Sequence, residues 1–291
     1  MYKVDNAIIL AAGTSSRFAP ISYEIHKGLI EVKGEVLIER QIRQLKEAGI
    51  DEIVIVTGYK SEQFEYLTDK YDVILVHNNE YLTRNNTSSI HCVEKYLKNS
   101  YICSADNYFV INPFERYVDE SYYSGIYSDG YTKEWCMSVD DDGYINNVNI
   151  GGSDAWYMMG HTFWSAEFSR QYIEILNRVY CDEKYANALW EDVFIENLDV
   201  LKMKIRKYSN TDIFEFDTLD ELREFDEKYI YNSNSKIIEF ICEKLCVTED
   251  KIHDFVAIKE KNESIGLFFN IRDEKYQYLY SDADICEVSN K

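Results

Sequence analysis

Two prolines and twelve glycines in 291 residues leave no stretch with the composition of a disordered linker. Seven cysteines, an odd number with no CxxC pair, fit neither a disulfide framework nor a zinc site, and they read as reduced thiols of a cytoplasmic protein. No apolar run approaches the length of a membrane span, and residues 1–6 lack the charged start and apolar core of a signal peptide, so no membrane partner is expected. Cations are short as well. With 31 Lys and Arg against 52 Asp and Glu, the net charge of −21 argues against a nucleic-acid partner, which must be met by neutralising phosphates. A small phosphorylated ligand escapes that exclusion, because a few local cations can hold it.

What the chain has is apolar mass, 46% of its residues, in a regular order. Strand-length apolar runs at 7–12, 53–57 and 73–77 alternate with amphipathic stretches at 38–48 and 62–69, a β-α-β-α-β order. Short, wholly apolar strands joined by helical crossovers belong to sheets covered on both faces, which predicts an α/β protein with a doubly wound, mainly parallel sheet. A helix is expected over 88–98 and a short strand over 101–105. Alternating, turn-punctuated segments from 122 to 164 read as antiparallel hairpins added to the sheet, and helices follow at 166–180 and 219–229. The polar stretch 231–235 is the one boundary expected, dividing the chain into 1–230 and a small α+β appendix, 231–291.

The first strand runs into AIILAAGTSSR, residues 7–17, where bulk gives way to small and polar side chains before a cation. In an open α/β sheet, ligands bind beyond the carboxyl ends of the strands. Small residues there let successive backbone N–H groups converge on one anion, with Arg17 and Lys27 adding charge from the side. A triphosphate fits such a loop, which makes Leu10, Ala11, Ala12, Gly13, Thr14, Ser15 and Ser16 candidate nucleotide contacts. A second acid-bearing turn, Ser104-Ala105-Asp106-Asn107, ends another short strand, where Asp106 is placed to hold Mg²⁺. Taken alone, such a loop is more often an ordinary strand-to-helix turn, and such an acid more often a cap or turn residue.

The longer string LAAGTSSRFAPISYEIHKGLIEVKGEVLIER, residues 10–40, resembles the signature of the sugar-phosphate and alcohol-phosphate nucleotidyltransferases. The resemblance covers 10–17, 27–29 and 34–39, with two departures: His26 where the family usually has Pro, and Ser15 where many members have Gly. It implies a Rossmann-like nucleotidyltransferase fold and makes Asp106 the metal-binding aspartate, with Ala105 beside it at the nucleotide. Further along, IVTGY (55–59), NNEYLTRNNTSSI (78–90), ADNYF (105–109), KEW (133–135), LWEDV (189–193) and IFEFDT (213–218) follow the order of the bacterial CTP:phosphocholine cytidylyltransferases over roughly 5–229. That branch implies CTP and phosphocholine as substrates. It places Asn85, Asn86 and Ser89 around the cytosine and a second metal carboxylate at Glu191 or Asp192. It puts Trp135 and Glu215 around choline, with Tyr185 and Trp190 beside the second acid.

The implied chemistry accounts for the lack of a nucleophile triad. A phosphomonoester is ionised near neutral pH, its second pKa being about 6, so it attacks the α-phosphate of CTP without a strong general base. Positioning and charge neutralisation by Arg17, Lys27 and Mg²⁺ suffice. The five histidines are dispersed and read as packing or surface residues. A cage thinned at Ala188 and Leu189 keeps phosphoethanolamine and 2-aminoethylphosphonate open as acceptors, and a sugar phosphate is a further alternative. An inactive nucleotide-binding scaffold is the non-enzyme alternative. The tail, a helix near KIIEFICEKLCV followed by strands at 255–259, 266–271 and 276–280, resembles the start of a choline-kinase-type lobe. Its glycine-bearing turn is replaced at 259–263 and no catalytic loop follows, so a remnant used for packing or homodimer formation rather than catalysis is one reading, and a small appended α/β cap with no kinase ancestry is the other, of equal weight.

Overall fold

The computed structural model describes residues 1–260, 263–281 and 283–288. The replaced turn at Lys261 and Asn262 lies outside the described residues. The chain forms two compact units, Met1–Gly13 with Leu37–Glu215, and Thr14–Val36 with Phe216–Lys291.

The first unit is built on a seven-stranded sheet whose order is Lys204–Tyr208, Tyr122–Val139, Ile145–Trp164, Ser100–Ser104, Asn6–Ala11, Glu52–Thr57 and Ile74–His77. All neighbours are parallel except those of Ile145–Trp164, which runs against both of its partners. The doubly wound, mainly parallel sheet is therefore present, with its antiparallel addition. The apolar first strand is central and its side chains are almost wholly buried, as a strand covered on both faces must be. Helix Leu37–Glu47 turns Leu37, Ile38, Ile42 and Leu45 into the core, and helix Ala166–Val179 does the same with Phe168, Tyr172, Ile175 and Leu176. No helix among the described residues is long and apolar enough to cross a membrane.

Two elements differ from the expectation. The hairpins expected over 122–164 are one long hairpin of 18- and 20-residue strands, bent by repeated register shifts. The helix expected over 88–98 is only Thr87–His91, followed by a single 3₁₀ turn at Glu94–Tyr96. Its serines are engaged elsewhere: Ser88 and Ser89 accept hydrogen bonds from the buried Asn78 amide at 2.8 and 3.1 Å.

The second unit contains a four-stranded antiparallel meander, Ile252–Glu260, Glu263–Ile271, Glu274–Leu279 and Asp284–Glu287, with helix Lys236–Leu245 preceding it. Segment 14–36 is fastened into this unit. The Glu24 carboxylate accepts from the Lys236 and Ile237 backbone N–H groups at 2.8 and 3.1 Å and from the Ser235 hydroxyl. Asp226 accepts from Lys33 N–H at 2.7 Å, and Tyr229 donates to the Glu31 carbonyl at 2.6 Å. Arg223 ties the meander to the helices through the carbonyls of Glu249 and Ile252. By contacts, therefore, residues 216–230 group with the tail.

A chain cut after Tyr231 loses the helix start that Glu24 caps. Protease cleavage within 14–36 is expected to accelerate roughly tenfold or more, the equivalent of one lost hydrogen bond to a charged group. An unchanged cleavage rate, followed by mass spectrometry of the fragments, would show that the segment holds itself.

Candidate active site

The strand order reverses at the centre of the first unit's sheet. The chain moves from 6–11 outward through 52–57 to 74–77, then returns to the other side of 6–11 as 100–104. Such a switch point opens a crevice at the strands' carboxyl ends. Two turns leave the sheet side by side there: Ala105 N–H donates to the Leu10 carbonyl at 3.1 Å, so Ala11–Gly13 and Ala105–Asp106 are neighbours. Helix Leu37–Glu47 fixes the second turn. Gln41 Nε2 bridges the carbonyls of Ser104 and Asn107 at 2.8 and 3.0 Å, while Gln44 and Arg40 hold the Phe109 carbonyl at 3.1 and 2.8 Å. Asp106 thus stands on a braced two-residue turn between strands Ser100–Ser104 and Asn107–Phe109.

Two glycines here differ in their reasons. Gly58 is needed by the protein itself, because a Cβ there would lie 2.8 Å from the Ala12 carbonyl and from Tyr81. At Gly13, among the described residues and apart from its chain neighbours, no atom lies within 4 Å of where a Cβ would stand, and its φ is not in the left-handed region. Neither packing nor a left-handed backbone asks for glycine at 13.

Opposite the sheet's end, the asparagine-rich segment is stitched to the 186–191 segment. Asn86 Oδ1 accepts from Trp190 N–H at 2.6 Å, Thr87 donates to the Ala188 carbonyl at 3.1 Å, and Asn85 binds the carbonyls of Ala186 and Asn187 at 3.3 Å. Helix Trp190–Ile195 begins there, and its two acids face different tasks. Asp192 accepts from Leu189 N–H at 2.7 Å and so caps its own helix. Glu191 faces a cavity of about 170 Å³, where it takes hydrogen bonds from Tyr123 at 3.2 Å and Asn86 at 3.4 Å. Leu10, Ser104, Met158 and Glu215 line the same cavity. Glu215, on strand Ile213–Glu215, accepts from the Asn107 amide at 3.1 Å.

Surrounded by protein, the Glu191 carboxyl is pushed up to about 7 by burial, against the opposing pull of its hydrogen bonds to Asn86 and Tyr123. Burial raises the Tyr123 hydroxyl too, and the Glu191 and Glu215 charges add to the effect. Among the described residues no group of three His, Cys, Asp or Glu is arranged to hold a metal. The cavity's donor set nonetheless fits a hard cation of the magnesium type, which takes oxygen ligands and draws few of them from protein.

In the second unit, Ser15 adopts φ 47°, ψ 41°, the left-handed region that favours Gly. The Arg17 guanidinium, 74% exposed, meets Asp217 at 2.7 Å, and the buried Lys27 ammonium approaches the other Asp217 oxygen at 3.4 Å. His26 explains its departure from Pro: its Nδ1 accepts the Gly28 N–H at 3.1 Å and caps the turn Lys27–Leu29. Replacing Ser15 with Gly is expected to stabilise the chain by roughly 1 kcal/mol, the strain a Cβ meets in this conformation, less glycine's entropy. A thermal melt that falls instead would mean the Ser15 side chain contributes more than its backbone strain costs.

The structure brings Leu10, Asn86, Trp190, Glu191 and Glu215 to one cavity and sets Ala105 and Asp106 beside the first-strand loop. Ser89 is turned to Asn78. It does not gather the aromatics as a cage. Trp190 is 3% exposed and embedded among Trp164, Tyr172, Phe194 and Tyr123, stacked on the last at 5.6 Å, so only an edge reaches the cavity. Tyr185 sends its hydroxyl to Glu196 and lies under the Lys184 ammonium, and Trp135 pairs across the long hairpin with Ile150; neither lines the cavity. Sequence reasoning missed Tyr123 and Asp217. The first sits in an alternating strand with no distinguishing neighbour. The second stands inside IFEFDT, where its acid-before-cap position was a usable signal.

Comparison with known proteins agrees with this geometry. Residues 7–114 match the MobA-like NTP transferase domain. The chain is 33% identical to the choline-phosphate cytidylyltransferase of Streptococcus pneumoniae over 221 residues, 76% of this chain and 96% of that one. It is 36% identical to the 2-aminoethylphosphonate cytidylyltransferase of Lancefieldella rimae over 232 residues, 78% of this chain and 94% of that one. The solved structure of the CTP:phosphocholine cytidylyltransferase from Streptococcus pneumoniae superposes with a TM-score of 0.74 at 33% identity, covering 78% of this chain and 99% of that one. By identity and coverage the chain belongs to the family of these cytidylyltransferases, and it is a nucleotidyltransferase.

Proposed function

We propose that the protein transfers the cytidylyl group of CTP to phosphocholine, giving CDP-choline and pyrophosphate, with Mg²⁺ as the divalent metal. The observation that carries the reading is the cavity shared by Glu191 and Glu215 at the switch point of a chain belonging to the cytidylyltransferase family. Ala11–Ser16 would receive the phosphates, Asn85 and Asn86 the base, and Asp106 with Glu191 the metal, which supplies charge neutralisation on the phosphates. Arg17 and Lys27 would offset charge on the departing pyrophosphate, and Glu215 would face the acceptor's cationic end. The acceptor phosphate attacks the α-phosphorus as its own nucleophile, so these residues orient and neutralise rather than exchange protons. Two carboxylates at one cavity suit a cation better than the hydroxyls of a sugar phosphate.

The division into 1–230 and 231–291 and the kinase-lobe ancestry of the tail remain part of this proposal. Its support is the helix followed by an antiparallel sheet in the tail.

A second reading rests on the aromatics. With Tyr185 and Trp135 outside the cavity and Trp190 present only by an edge, the cage for a trimethylammonium group is thin. Carboxylates serve a primary ammonium better, which favours 2-aminoethylphosphonate or phosphoethanolamine. The three acceptors are to be compared by kcat/KM at saturating CTP. The first reading expects phosphocholine to lead by about tenfold, the worth of one or two aromatic contacts. A lead by either primary amine selects the second.

A further inference from the structure

The tail brings a lysine to the phosphate loop. Lys259 lies near the end of strand Ile252–Glu260, and its ammonium donates to the Ser16 hydroxyl at 2.6 Å across 243 residues of sequence. The placement is built. Strand pairing with Glu263–Ile271 slips in register between Ile258 and Lys259, and the Ser264 hydroxyl takes up the Ile258 carbonyl at 3.2 Å beside the irregularity. Bulges of this kind re-aim a side chain. The meander is held on segment 14–36 by Glu24 capping the preceding helix and by Tyr23 meeting Tyr280 edge-on at 5.6 Å, and Arg223 of helix Leu219–Phe225 holds the Ile252 carbonyl at the strand's start.

Around Ser16 the unit therefore gathers Arg17, Lys27 and Lys259, with Asp217 paired to the first two. Three cations gathered in one unit, in a chain of net charge −21, suit a polyanion with more than one phosphate. We propose that Lys259 is a nucleotide-binding residue supplied by the C-terminal sheet, contacting the β- and γ-phosphates beside Ser16 and so determining affinity for a triphosphate over a monophosphate. The inference rests on the assignment of the 11–16 loop to the nucleotide's phosphates. It gives the tail a role in binding the nucleotide's phosphates that needs no kinase chemistry.

The test is calorimetric titration of CTP and of CMP into the full chain, unmodified and as Lys259→Met and Lys259→Arg, with steady-state kinetics on the same proteins. Lys259→Met is expected to weaken CTP binding and raise its KM about five- to tenfold, as for one partly exposed charge-assisted contact, with kcat and CMP binding nearly unchanged. Lys259→Arg is expected to restore most of the CTP affinity. Equal CTP affinity in the Met variant overturns the proposal, and so does an equal loss for CMP, which would mark a structural role. An unmodified chain that binds no CTP would overturn the loop assignment itself, an outcome distinct from either.

Discussion

Glu191→Gln is expected to lower kcat by roughly 10²–10³-fold, the usual cost of removing one preorganised electrostatic contact at a transferring group. Asp192→Asn is expected to leave turnover within about twofold and to cost about 1 kcal/mol of stability, as a weakened helix cap does. The two acids are adjacent and chemically alike, but Asp192 turns back to Leu189 N–H whereas Glu191 faces the cavity with Glu215. Asp106→Ala belongs with Glu191→Gln in the proposed site and should abolish turnover without unfolding the chain. The opposite pattern, an inactive Asp192→Asn beside an active Glu191→Gln, would reassign the metal carboxylate.

Glu191 also carries a pH signature. Burial lifts its carboxyl from the ordinary 4.5 to about 7, so folding favours the protonated form. Its contribution to stability is complete below about 4.5 and is lost as pH rises through about 7. In the presence of a chelator, Glu191→Gln should therefore be more stable than the unmodified chain at pH 8 by about 2–3 kcal/mol and indistinguishable near pH 4.5. A divalent cation must displace that proton, so its half-saturating concentration should rise as pH falls below 7. Melting curves that do not separate with pH would show that Glu191 titrates as an exposed acid.

Lys27→Met is expected to slow transfer by about 10²–10³-fold while leaving the melting temperature unchanged or higher. Lys27 is 3% exposed, its ammonium 3.4 Å from Asp217 and 6.0 Å from the centre of the Phe18 ring. Burying a charge costs free energy that an apolar chain of similar length avoids, and Asp217 keeps Arg17 at 2.7 Å. In the proposed site the nucleotide's phosphates are the anion that would need such a lysine. Arg17→Met, at a 74% exposed position, should cost less, about tenfold in turnover. Single-turnover rates and thermal melts on the same preparations separate the two effects. A Lys27→Met chain that is destabilised and fully active would make Lys27 a packing residue.

Much of the first unit was legible because its signals are local. The apolar runs at 7–11 and 53–56 within strands Asn6–Ala11 and Glu52–Thr57 and the amphipathic helix at 37–47 declare their burial in the order of their side chains. The short helix at Thr87–His91 was not, since serines that bond a distant asparagine look the same in sequence as serines on a helix surface. The joining of 14–36 with 216–291 depends on pairs such as Glu24 with Lys236 and Lys33 with Asp226, separated by about two hundred residues and invisible to periodicity. Lys259 on Ser16 is of the same kind. The turns that follow strands Asn6–Ala11 and Ser100–Ser104 were readable from the ends of their apolar runs, and the roles given to them belong to the proposal. The aromatic cage was not, because Trp190 buried in a cluster and Trp190 facing a ligand leave the same letter in the chain.

The most direct test of the central claim is phosphorus NMR of the full chain mixed with CTP, phosphocholine and Mg²⁺. The account predicts stoichiometric appearance of pyrophosphate and a CDP-linked diester, both dependent on the acceptor and absent when CTP is replaced by ATP. An unchanged spectrum with phosphocholine, phosphoethanolamine and 2-aminoethylphosphonate alike would contradict it.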